Sequence, residues 1–303
     1  MSVLRKLSLG VVAISLLVLG TACGKSPATA TTSPTKPIHV VASLDFYGEV
    51  ARAVLGDHGT VTTLIKSPSV DPHDFEPTPQ DAAAVSHANF ALSNGLGYDH
   101  WLPKLVKSNG NRQIQQIRVG EDVLGKQPGA NEHVWYDPET MAQTATYLAH
   151  QFGKKAPRYR AVYQRNAAAY IRQLAPLQQQ LKSLKQRSHN QRVDVSEPVF
   201  DYALTALGYR RNNSAFALAI ENGTDPAPQA IKQMRRDITD QRIAFLVNNR
   251  QASNRTVKAM VQLAHQHQVP VMTVTETLPK GKTYRTWMQS QYRQLAAIQR
   301  TTE

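Results

Sequence analysis

The sequence predicts an α/β protein: two four-stranded parallel-sheet lobes with helices, joined by one long helix. Three observations carry that prediction. Strand-like and helix-like segments alternate from His39 to Arg118, and again from Arg192 to Ile298. This is the pattern of a parallel sheet covered by helices. Between the two runs lies a reach from about Pro157 to Ser188 that is rich in Gln, Ala, Leu, Arg and Lys. The chain beyond about Pro37 is also long enough for two modest lobes.

The first residues read as an export signal. Arg5 and Lys6 give a positive start, Leu7 to Ala22 is apolar and uncharged, and the small residues Gly20, Thr21 and Ala22 precede Cys23. A membrane-spanning helix needs about 20 apolar residues, so this core is short and its flanks suit a cleavable signal. Cys23 is the only cysteine and cannot form an internal disulfide. Lys25 to Lys36, rich in Ser, Thr, Ala and Pro, buries too little apolar surface to fold and reads as a tether. The expected division is a signal over 1–23, a tether over 24–37, a first lobe over 38–152, a connecting helix over 153–188 and a second lobe over 189–303.

In the first lobe, strands are expected at His39–Ala42, Val61–Ile65, Asn89–Leu92 and Arg112–Arg118. Phe46–Leu55 has helical spacing and stops at Gly56. A helix over Thr78–Ser86 has Asp81 in its first turn, where a carboxylate suits the helix dipole. Pro138 starts a helix that runs to about Phe152. In the connector, Tyr163, Tyr170, Leu174, Leu177, Leu181 and Leu184 follow a helical period, and Pro176 is expected to bend it or mark a boundary. A helix of that length spans about 45 Å. In the second lobe, strands are expected at Arg192–Ser196, Phe216–Ile220, Ile243–Asn248 and Val269–Thr275. Helices are expected at Pro228–Thr239, Asn254–His267 and Tyr284–Ile298.

The chain carries 35 Lys and Arg against 22 Asp and Glu, a formal charge of +13. The basic residues are scattered, without an interleaved aromatic motif and behind an export signal. That argues against nucleic acid and for a protein living beside an anionic membrane and cell wall.

Four residues stand out as candidate metal ligands. His73 lies in Asp71-Pro72-His73-Asp74-Phe75-Glu76-Pro77-Thr78 after the second strand. His133 lies in Asn131-Glu132-His133-Val134-Trp135-Tyr136-Asp137-Pro138, before a helix. Glu197 follows the first strand of the second half, and Glu276 follows its last. Ligands of open α/β sheets bind beyond the carboxyl ends of the strands, and two residues from each half would place an ion between the lobes. Two imidazoles and two carboxylates suit Mn²⁺, Zn²⁺ or Fe²⁺. Each residue also has a structural reading. His73 is then a loop histidine, His133 a helix-entry residue, Glu197 a cap on the helix after Pro198, and Glu276 a solvated carboxylate.

Taken together, these segments resemble the ZnuA-like solute-binding proteins, the metal-binding lipoproteins of bacterial zinc and manganese ABC importers. The resemblance runs from His39 to about Gln299. It rests on the His73 and His133 runs, on Asn94-Gly95-Leu96-Gly97-Tyr98-Asp99-His100-Trp101-Leu102, and on Val195-Ser196-Glu197-Pro198-Val199-Phe200 and Val274-Thr275-Glu276-Thr277-Leu278-Pro279. It implies a rigid connecting helix and an ion held between the lobes by His73, His133, Glu197 and Glu276. Glu276 stands where Asp is usual, which keeps the carboxylate but adds a methylene. Cys23 resembles a lipobox cysteine, with Gly20 where Leu is usual, and implies lipidation at the outer face of the membrane. Glu rather than His at the third ligand, and no His-rich loop between Gly120 and His133, favour Mn²⁺ over Zn²⁺. The implied protein is a monomer that delivers its ion to an ABC permease, binds no nucleic acid and is not an enzyme. Two other functions compete: a secreted metallohydrolase, for which no His-Glu-x-x-His motif is present, and an adhesin or cell-wall-binding module.

Overall fold

The computed structural model describes residues 37–251 and 254–302. The expected signal, the lipidation residue Cys23 and the tether up to residue 36 lie outside the described residues. The first sheet is built from β1 (Ile38–Leu44), β2 (Gly59–Ile65), β3 (Phe90–Ser93) and β4 (Gln115–Arg118). Its strand order is β2-β1-β3-β4, and every pairing is parallel. Helices α1 (Asp45–Leu55), α2 (Pro79–Ser86) and α3 (Trp101–Asn109) make the crossovers. α2 begins as its sequence dictates. Thr78 caps it, Asp81 closes a reciprocal capping box by accepting from the Thr78 backbone at 2.8 Å, and Pro79 fills the first turn.

α4 (Thr140–Lys155) leads into the connector α5 (Arg160–Gln186). α4 therefore takes residues 153–155 from the expected connecting segment. α5 continues through Pro176. Proline removes one backbone hydrogen bond, but Tyr170, Leu174, Leu177 and Leu184 on either side of it are buried, and this packing keeps the helix whole.

The second sheet repeats the first. β5 (Arg192–Val195), β6 (Arg210–Arg211), β7 (Leu246–Asn249) and β8 (Val271–Val274) lie in the order β6-β5-β7-β8, again all parallel. Its helices are α6 (Asp201–Leu207), α7 (Ser214–Glu221), α8 (Pro228–Thr239), α9 (Arg255–Gln266) and α10 (Tyr284–Thr302). The strand expected at Phe216–Ile220 is instead helix α7. A short apolar run fits either state by period alone. Here Phe216, Ala217 and Ile220 turn inward while Leu218 is 49% exposed, which is a helical face. The missing strand is the two-residue edge Arg210–Arg211, too short and too polar to leave a sequence signal. Helix α3 was not among the expected elements; its Pro103 lies in the first turn, where the missing N–H costs nothing.

All described residues fall in one compact unit, and one core runs through both lobes. Its centre is an aromatic seam. Phe46 of α1 meets Trp135 at 5.4 Å and Trp287 of α10 at 5.8 Å between ring centroids. Tyr136 meets Trp287 at 5.6 Å and Phe200 at 4.9 Å. A second, smaller core fills the space between α7, α8, α9 and β7.

Candidate metal centre

The strand order puts a switch point between β1 and β3 in one lobe and between β5 and β7 in the other, where crevices form beyond the carboxyl ends. In the first lobe this end is organised by Asn94, which follows β3. Its backbone N–H donates to Asp99 Oδ2 at 2.6 Å, and Gly95 N–H donates to Asp99 Oδ1 at 3.0 Å. Gly95 adopts φ +80°, and a side chain there would strike Glu121. The Asn94 amide donates to the Glu132 carbonyl at 2.9 Å and accepts from Tyr47 at 2.6 Å. The residues before His133 are thereby drawn back to the sheet from far along the chain.

His73 follows β2 in a loop pinned by α3. Trp101 Nε1 donates to the Pro72 carbonyl at 2.8 Å, Phe75 packs on Trp101, and Tyr98 stands edge-on to the His73 ring at 4.8 Å. His133 is 2% exposed. Asn131 Oδ1 accepts from the His133 backbone at 2.9 Å and pairs with Nδ1 at 2.8 Å. Asn131 also spends its own N–H on the Pro198 carbonyl across the cleft, at 2.8 Å. That fixes its oxygen toward Nδ1–H and leaves the His133 Nε2 lone pair free.

From the second lobe come Glu197, just after β5, and Glu276, just after β8. Asn249 at the end of β7 donates to both, to Glu197 in a short contact and to Glu276 Oε2 at 3.4 Å. Gln251 accepts from the Glu276 backbone at 2.7 Å. The buried Glu276 Oε1 has no hydrogen-bond partner. It lies 3.7 Å from His73 Nε2 and 3.8 Å from His133 Nε2. Donor atoms around one ion with bonds of about 2.1 Å sit roughly 3.4 Å apart in a tetrahedron, so this spacing is close to that of a coordination shell. His73, Glu197 and Glu276 line one cleft, and His133 meets it through Glu276.

Two further carboxylates reach the histidines. Glu132 Oε1 lies 3.2 Å from His73 Nε2, and Glu221, at the end of α7, places Oε1 3.7 Å from His133 Nδ1. Glu132 adjoins a named histidine and was open to detection. Glu221 directly follows Phe216–Ile220, the run expected as a strand, so it carried the same strand-end signal as Glu197 and Glu276 and was left unnamed.

Electrostatics follow from six such groups sharing a half-buried space. Burial lowers His73, but its pairing with Glu276 and the charges of Glu132, Glu276 and Asp71 outweigh this and hold the imidazole up at about 9. Burial pushes His133 down to about 4, with the charge of His73 adding. Burial and neighbouring negative charge raise Glu132 and Glu197 to about 7 and Glu221 to about 8. Burial also pushes Glu276 up, but His73, His133 and Tyr98 together bring it below its ordinary value. A divalent cation would favour the ionised form of every one of these acids. The donor set, two imidazoles and several carboxylates with a buried oxygen unspent, fits such an ion.

A family model described as ZnuA, zinc-uptake complex component A, periplasmic, matches residues 40–298. The manganese-binding lipoprotein MntA of Halalkalibacterium halodurans is 24% identical over 215 residues, covering 70% of this chain and 69% of that protein. The iron ABC transporter substrate-binding lipoprotein MtsA of Streptococcus pyogenes is 28% identical over 245 residues, covering 76% of this chain and 77% of its own. Among solved structures, the Zn(II)-bound ZnuA-like domain of Streptococcus pneumoniae AdcA superposes with a TM-score of 0.67 at 20% identity. That match covers 88% of this chain and 99% of the domain, and it shows the shared two-lobed fold. With the family model spanning both lobes and the connector, the chain belongs to the ZnuA family of metal-uptake substrate-binding proteins.

Proposed function

We propose that this chain captures one divalent transition-metal ion outside the cell and hands it to the permease of an ABC importer. His73 and His133 supply imidazole nitrogens, and Glu197 and Glu276 supply carboxylate oxygens. The observation that carries this reading is the approach of two histidine Nε2 atoms to one unpartnered, buried Glu276 oxygen between the lobes. Relatives named for manganese and iron support a transition-metal cargo. Mn²⁺ is favoured over Zn²⁺ because the third ligand is Glu and oxygen donors suit manganese. Intrinsic affinity still rises toward Zn²⁺ in the Irving–Williams order, so preference for Mn²⁺ must come from geometry and supply. Lipidated Cys23 and the tether would hold the protein at the outer membrane face as a monomer. The basic surface then serves that anionic setting rather than nucleic acid. The family is one of uptake components rather than enzymes, which sets the hydrolase reading aside.

The test strips the protein with chelator and titrates Mn²⁺ and Zn²⁺ separately, following bound metal and thermal stability, which rises when the folded state binds a ligand. One equivalent is expected to bind tightly and to be lost in His73→Ala and in Glu276→Ala. Full affinity in either variant would overturn the ligand set.

A further inference from the structure

We propose that Glu221 and Glu132 are additional ligands in this chain, so that the ion's shell draws on carboxylate oxygens beyond Glu197 and Glu276 and selects Mn²⁺ over Zn²⁺. The proposal rests on the metal-capture reading and deepens it.

The geometry is that of one sphere. Glu132, His133 and Glu221 offer ligand atoms that all lie within 4.8 Å of one another. Donors on opposite sides of a single ion with bonds of about 2.2 Å are roughly 4.4 Å apart, so these side chains need to close in by only a few tenths of an ångström to share one ion. Glu221 Oε2 is buried without a hydrogen-bond partner. The fully buried Tyr98 hydroxyl is directed at Glu276, with the charge of Glu132 close by. Unspent polar atoms gathered in one buried space call for a partner that the surrounding protein does not supply. Arg211, the cation lining the same side of the cleft, is engaged by Asp201. Glu132 reaches His73 at Nε2, the nitrogen that faces Glu276, while Glu221 approaches His133 from its Nδ1 side, 3.7 Å away, so its oxygen must swing past the ring edge to join an ion on Nε2.

The consequence for selectivity is chemical. Zn²⁺ is satisfied by four ligands in a tetrahedron and gains little from more oxygens. Mn²⁺ is well served by oxygen-rich, six-coordinate shells. Carboxylates supplied beyond a two-histidine, two-glutamate set therefore favour the larger, harder ion.

The experiment uses the full-length chain solubilised in detergent, stripped and then titrated with Mn²⁺ and Zn²⁺ in competition with a chelator. It compares the unaltered protein with Glu221→Gln, Glu221→Asp and Glu132→Gln. Each variant is expected to weaken Mn²⁺ by about tenfold or more while Zn²⁺ changes by less than about threefold. Glu221→Asp separates ligation from mere charge, because it keeps the charge but withdraws the oxygens by one methylene. Full Mn²⁺ affinity in Glu221→Asp, or equal losses for both metals, would each overturn the proposal. A failure of the unaltered protein to bind either ion would instead overturn the metal-capture reading itself.

Discussion

Asn131 sets both the tautomer of His133 and a link across the cleft, through one side chain with three contacts. Asn131→Ala removes the acceptor for Nδ1–H and frees the imidazole to turn. Metal affinity is expected to fall by about 10- to 100-fold with the fold intact, read by chelator competition alongside circular dichroism. A second prediction concerns Asp194 in β5, fully buried with neither oxygen hydrogen-bonded. Burial, with the charge of Asp237 adding and Asn212 opposing, raises it to about 7. The folded value exceeds the unfolded one, so the folded state holds more protons between the two. The group's favourable contribution is complete below pH about 4 and is lost as pH rises through about 7. Asp194→Asn is expected to stabilise the protein at pH 8 by about 1–3 kcal/mol and to do little at pH 4, measured by denaturant unfolding at both. At this scale the strand ends marked His73, Glu197 and Glu276, which line one cleft; that they hold the ion is the proposal. Glu132 escaped because a carboxylate beside a candidate histidine looks like ordinary solvation. Asn131 and Asn249 escaped because an amide that orients a ligand has no spacing rule of its own.

At the scale of elements, long periodic segments and punctuated strands were legible and short ambiguous ones were not. Helix α5 was visible from its buried aromatic and leucine positions, and α2 from Pro77, Thr78 and Asp81. Helix α7 was not, because Phe216 to Ile220 is too short and too apolar for its period to decide, and tertiary packing of Phe216 and Ile220 in the second core made the choice. Pro176 marks neither end of α5. The helix therefore carries a local defect that packing overcomes. Proline in a helix interior costs about 3 kcal/mol, partly offset by its stiffening of the unfolded chain. Pro176→Ala is expected to raise unfolding free energy by about 1–2 kcal/mol and to leave Mn²⁺ and Zn²⁺ affinity unchanged. Thermal melts and titration of the same samples check both halves of that statement.

For the whole molecule, the aromatic seam and the polar links across the cleft act as one clamp. Tyr136 donates to the Thr275 carbonyl at 2.5 Å, Tyr284 N–H donates to Glu49 at 2.8 Å, and the Tyr284 hydroxyl donates to the Trp135 carbonyl at 2.7 Å. Trp287 is 1% exposed and reaches Thr275, beside Glu276, at 2.9 Å. Trp287→Ala is expected to cost about 3–5 kcal/mol of stability, because it empties the junction where both lobes and α10 meet. Metal affinity should fall with it, since Thr275 loses its anchor. Unfolding curves and titration of the folded fraction check this. The two-lobed plan was legible from the alternation of segments on either side of α5. The seam was not, because nothing local in the sequence states that Phe46, Trp135 and Trp287 meet.

The division of the proposed ligands between the two sheets has a further meaning for the life of the chain. His73 and His133 belong to the first half, and Glu197 and Glu276 to the second. Neither half alone assembles the set. A nascent or partly translocated polypeptide therefore offers only scattered, weak donors. On the proposed ligand set, a chain whose last strand has not docked is not yet a competent scavenger.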